Sequence, residues 1–72
     1  MIGYKRWLVN HFLGSSNALG RLADFADLDK GFPGGVAKKE TIANYLQKST
    51  LPEECLEAFE SSWEVYDSEA RK

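Results

Sequence analysis

The chain has 72 residues, a mass of 8.1 kDa and a formal net charge of −2, and 43% of its residues are hydrophobic. That length accommodates one domain, and that apolar content lies above the range in which chains stay disordered. A domain this short buries only about 60% of the surface its unfolded chain exposes, so a small core and modest stability are expected. No stretch approaches the run of about 18 apolar residues that a membrane span requires. The opening Met1-Ile2-Gly3-Tyr4-Lys5-Arg6 has no signal-peptide pattern, and glycine at position 3 does not make a myristoylation signal. The one cysteine, Cys55, can form neither an internal disulfide nor half a zinc site. A single cytoplasmic domain over residues 1–72 is the expectation.

Apolar spacing predicts helices, which repeat every 3.6 residues, over about 3–13, 17–30, 38–48 and 52–70. In the first, Tyr4, Leu8 and Phe12 recur at four-residue steps, Trp7 widens the stripe, and Gly14 stops it. Ser15-Ser16-Asn17 then offers capping side chains. The second carries Leu19, Leu22, Ala23 and Ala26 on one face, with Arg21, Asp24 and Asp27 opposite. Gly20 inside it costs about 1 kcal/mol against alanine, and close approach of another helix is the expected compensation. Gly31-Phe32-Pro33-Gly34-Gly35 is the strongest break in the chain, and Phe32 within it is expected to plug the edge of the core.

The third helix is short and carries Ile42 and Leu46, with Ala43 and Tyr45 beside them. Thr50 and Glu53 have capping-box spacing ahead of the last helix, and Pro52 suits a helix start. In that last helix Pro52, Leu56, Phe59, Trp63, Tyr66 and Ala70 make one stripe by alternating steps of four and three. No alternating run long enough for a strand occurs. An all-α, compact four-helix domain is the predicted fold class.

Leu22-Ala23, Asp29, Phe32-Pro33, Ile42 with Tyr45-Leu46, and Phe59 with Trp63 and Tyr66 together resemble the YozE-like family. These are short bacterial and phage proteins with a four-helix, sterile-alpha-motif-like (SAM-like) fold. The resemblance covers about Tyr4 to Ser68 and implies architecture. It implies no enzymatic activity, no cofactor and no residue with an agreed functional role. SAM-like folds elsewhere serve protein association and nucleic-acid binding, an analogy of fold alone.

Catalysis needs convergent groups, and the chain offers few. His11, the only histidine, is expected at the edge of the core or in solvent. Cys55 is expected as a small buried thiol, and nothing orients a Cys–His dyad. Asp27-Leu28-Asp29-Lys30-Gly31 opens like a calcium loop, but Phe32 and Lys38 stand where an EF-hand needs glycine and glutamate, so no metal site is predicted. No P-loop pattern fits Gly31, Gly34, Gly35 and Lys38-Lys39 either.

Two charge patterns remain. Glu53, Glu57, Glu60, Glu64 and Asp67 step by four, three, four and three along the last helix, beside its apolar stripe. Residues 49–72 hold two basic and seven acidic side chains, whereas residues 1–48 hold seven basic and four acidic. The row is either neutralised by Lys5, Arg6 or Arg21 from neighbouring helices, or a solvated face, or a docking surface for a basic protein partner with Leu56 and Val65 at its margins. The second pattern is Lys38 and Lys39 at the start of the third helix, the wrong end of its dipole for cations, with Lys30 across the loop. A nucleic-acid phosphate there would relieve the mismatch. The break between helices is too long for a helix-turn-helix, and no Arg or Asn row suited to base edges follows. The expected function is a non-enzymatic binding module acting through the acidic face of the last helix, with weak phosphate-backbone binding by Lys30, Lys38 and Lys39 as the alternative.

Overall fold

The structure, a computed structural model, describes residues 2–70. Four helices follow in order: α1 Tyr4–Phe12, α2 Ala18–Leu28, α3 Lys39–Gln47 and α4 Glu53–Glu69. No strand occurs among the described residues, and no described helix is long and apolar enough to cross a membrane. The expected intervals are slightly longer because they include the cap residues, Gly3 and Leu13, Asn17 and Asp29, Lys38 and Lys48, Pro52 and Ala70, and the second runs one residue past its cap, to Lys30.

α2 packs on both α1 and α4, whereas α3 packs on α4 alone among the helices. The core forms where α1 and α2 meet α4. Tyr4, Trp7 and Leu8 of α1 lie at i, i+3 and i+4 and are all buried. They face Phe59, Trp63 and Tyr66 of α4, also buried, while Leu22, Ala23 and Ala26 supply the α2 side. Tyr4 is the hub: its ring lies 5.3 Å from Phe59 and 5.5 Å from Tyr66 in edge-on contacts, and 5.3 Å from Trp63. Edge-to-face pairs of this kind are worth about 0.5–1.5 kcal/mol beyond area burial.

The Tyr4 hydroxyl is taken out of water, which pushes its ionisation upward, partly offset by its hydrogen bond to Ser62. Ser62 Oγ lies 2.6 Å from that hydroxyl and donates to the Phe59 carbonyl at 3.1 Å, so the tyrosine is the donor of the pair. Tyr66 donates to the Ile2 carbonyl at 2.6 Å. Buried hydroxyls of an aromatic core are thus satisfied, as their desolvation demands.

Three local expectations are corrected. The inward face of α4 is Cys55, Phe59, Ser62, Trp63 and Tyr66. Pro52 is exposed and Leu56 and Ala70 are half-buried, so the stripe is rotated by one residue at its start. Gly20 makes room for the α1–α2 loop and not for a helix: a Cβ there would stand 1.8 Å from the Ser15 carbonyl oxygen. Asn17 caps α2 by accepting from Gly20 N–H at 3.0 Å, whereas α4 begins at the N-cap Pro52 with no side-chain cap bond from Thr50.

The loop between α2 and α3 is held from two sides. Phe32 is buried, as expected, and meets Phe25 and Tyr45 edge-on at 6.2 and 5.6 Å. Asp29 accepts from Gly31 N–H at 3.0 Å and from the Tyr45 hydroxyl. The Tyr45 bond, then the Gly31 bond, hold the Asp29 carboxyl below its ordinary pKa, and the same carboxylate pushes Tyr45 upward. On the other side, a Cβ at Gly3 would lie 2.5 Å from the Gly35 carbonyl oxygen, so the loop rests on the start of α1.

Candidate docking groove between α3 and α4

α3 and α4 are joined by the short connection 48–52, so the chain turns back on itself and sets two helix faces side by side. Ala43, Leu46 and Gln47 of α3 lie at helical spacing on one wall. Glu53, Leu56, Glu57, Phe59 and Glu60 of α4 form the other. Leu46 and Phe59 close the groove from beneath, and its accessible apolar surface comes from the half-buried Ala43 and Leu56. At about 190 Å³ it falls short of the roughly 300–1,000 Å³ typical of small-molecule pockets. Its form is that of a shallow apolar strip with an acidic edge.

The rotation of α4 creates this strip. With Cys55 and Ser62 turned inward, Leu56 is left half-buried at the margin of the core and lines the groove wall. The groove therefore gathers three of the five acidic residues singled out in the sequence: Glu53, Glu57 and Glu60. Glu64 and Asp67 continue the exposed row farther along α4, outside the groove, and Val65 is exposed without lining it.

The ion pairs cross the expected groupings. Arg21 pairs with Glu54, a residue outside the row, at 2.6 Å. Lys39, assigned by sequence to a phosphate site, instead meets Glu60 of the acidic row at 2.6 Å. Glu53, Glu57 and Glu64 form no ion pair among the described residues. Among the described residues Lys5 and Arg6 form no ion pair with Glu53, Glu57, Glu60 or Glu64; they line a separate groove with Val9, Asn10, Asp27 and Gly34. Lys30 is exposed in the loop and Lys38 is exposed at the N-cap of α3, while Lys39 is paired with Glu60. Both pairs are solvent-exposed, at 43% and 58% for Lys39 and Glu60, and such pairs contribute about 0.2–1 kcal/mol.

A family model of the YozE SAM-like fold matches residues 4–68, from the first residue of α1 to the penultimate residue of α4. The chain belongs to the YozE SAM-like fold family. Comparison with curated proteins and with solved structures returns no significant match. In this YozE SAM-like domain the residues that carried the resemblance are structural. Asp29, Phe32 and Tyr45 clamp the α2–α3 loop, and Phe59, Trp63 and Tyr66 build the core. Of these six only Phe59 also lines the groove, closing it from beneath.

Two reactive groups remain, His11 and Cys55. His11 is exposed and its ring lies 5.2 Å from that of Trp7. Cys55 is 1% exposed, its thiol facing the Ala18 carbonyl at 4.0 Å. Burial, then the charge of Glu54, push that thiol upward in pKa, away from the reactive thiolate. Sequence reasoning missed Ala43 and Gln47 as groove residues, although their spacing from Lys39 on α3 was a readable signal. It missed Ser62 because a serine among aromatics reads as a surface position.

Proposed function

We propose that this YozE SAM-like domain is a non-enzymatic binding module that docks a basic segment of another protein in the groove between α3 and α4. The observation that carries this reading is the rim: Glu53 and Glu57, without ion partners among the described residues, flank the accessible apolar atoms of Leu56 and Ala43. The acidic row attracts a cationic partner over long range and orients it. Burial of a few apolar side chains against Leu56 then supplies the short-range part. The non-enzymatic half of the reading rests on the chemistry of the only histidine and the only thiol, one exposed against Trp7 and the other buried and protonated.

The test uses a labelled synthetic amphipathic helix of leucine and lysine, with binding followed by fluorescence anisotropy. Glu53→Gln with Glu57→Gln should weaken binding about three- to tenfold, since two exposed pairs are worth up to about 1 kcal/mol each. Asp24→Asn with Glu69→Gln changes the net charge equally, outside the groove, and should weaken it less. Equal losses in the two double variants would reduce the effect to overall charge and sink the groove.

One observation favours the nucleic-acid alternative: Lys38 is exposed at an α3 N-terminus that has no side-chain cap. Phosphate binding there should weaken steeply with salt and fall on Lys38→Glu. Absence of any shift with DNA or RNA at low salt would remove it.

A further inference from the structure

We infer that Lys39 is a resident competitor in the α3–α4 groove: its ammonium holds the place on Glu60 that a cationic side chain of a docked basic helix takes over. This rests on the docking reading above and names both the occupant and what sets its affinity. The chain itself supplies the stand-in. Lys39 Nζ sits 2.6 Å from Glu60 Oε2, and Glu60 lines the groove, so this rim already accepts a primary ammonium.

Two features make that ammonium displaceable. The pair is half in water, which limits its worth to about 1 kcal/mol. Lys39 is also the first residue of α3, next to a second lysine at the N-cap, where cations face the positive end of the helix dipole. Glu40 in the same turn already offsets part of that charge, so Lys39 can swing into solvent without undoing the helix. The other ion pair is an internal contrast. Arg21–Glu54 links α2 to α4, and neither residue lines the groove, so a docked segment has no reason to disturb it.

The occupant is a basic amphipathic helix. Glu53, Glu57 and Glu60 repeat at steps of four and three, the spacing at which a facing helix presents side chains from one face. The strip between the walls is narrow and apolar, which suits the apolar edge of such a helix. Its lysines or arginines meet Glu53 and Glu57 directly, and one displaces Lys39 from Glu60.

The experiment measures the affinity of the leucine–lysine helix for wild type, Lys39→Gln, Lys38→Gln, Glu60→Gln and the Lys39→Gln/Glu60→Gln double variant. At about 0.15 M salt, where charges beyond roughly 8 Å are screened, Lys39→Gln should tighten binding about threefold. Lys38→Gln removes the same charge one residue away and should tighten it less. In the Glu60→Gln background the gain from Lys39→Gln should vanish, which is the coupling a competitor requires. Equal gains from Lys38→Gln and Lys39→Gln, a gain that survives without Glu60, or weaker binding by Lys39→Gln would each overturn the inference while leaving the docking reading in place. A probe that binds neither wild type nor any variant would bring down both.

Discussion

One helix, α4, meets its neighbours in two different ways. Toward α1 and α2 it presents aromatic rings that touch one another at 4.9–5.9 Å and hydroxyls that are all paired. Toward α3 it presents a smaller apolar contact, one exposed ion pair and a strip left open to water. The first side holds the fold together, and the second has surface to offer. The two flanks adjoin at Phe59, which packs on Tyr4 and also closes the groove, while the exposed side chains of the open flank lie outside the core.

The contrast breaks if the aromatic flank is not where stability resides. Trp63→Ala should cost about 3–5 kcal/mol, because a large ring leaves a small core and its space cannot fully collapse. A thermal midpoint that hardly moves would contradict the assignment. Gly20→Ala should come next, at about 1–3 kcal/mol despite alanine's better helix propensity. The added methyl runs into the Ser15 backbone carbonyl, which cannot swing aside as a flexible side chain would. An unchanged urea midpoint would show that the α1–α2 loop yields.

A smaller, pH-dependent effect belongs to the loop clamp. Asp29 has its carboxyl held below the ordinary value of 3.8, so its contribution is present above that pH and is lost as pH falls through the depressed value. Tyr45 is raised above 10.0, so its contribution is present below that pH and is lost as pH rises through the raised value. Tyr45→Phe should flatten both limbs of a pH–stability profile and move the Asp29 carboxyl resonance in an NMR titration toward the ordinary value. An unmoved titration would mean the bond is absent in solution. Smallest of all should be Lys39→Gln on the open flank, at no more than about 1 kcal/mol by chemical denaturation. A larger loss would make the Lys39–Glu60 pair part of the framework and narrow the contrast between the flanks.

Much of the fold was legible because helical periodicity reports burial directly. Tyr4 and Leu8, Leu22 and Ala26, Ile42 and Leu46, and Phe59 with Trp63 and Tyr66 all read as inward and are buried. Phe32 was readable from its setting, an aromatic ring inside a breaker. What escaped depended on partners from distant parts of the chain. Ser62 looks like a solvent position until Tyr4 supplies a hydroxyl to pair with, and Gly20 looks like a helix contact until the loop before it is placed. The site was legible only in half: the acidic row is visible as a spacing, but the capture of Lys39 by Glu60 depends on how α3 is laid against α4. Charges alone could not foresee that one candidate surface would borrow a residue from the other.

The hydroxyl pair between Tyr4 and Ser62 joins residues 58 apart, and the Tyr66 bond to Ile2 spans 64. The hub of the core therefore requires α4: with α1 and α2 alone, Tyr4 lacks the rings of Phe59, Trp63 and Tyr66 that surround it. Such distant closure is paid in loop entropy before any contact repays it. A chain cut off ahead of α4 would leave part of its first aromatic stripe open to the surrounding solution.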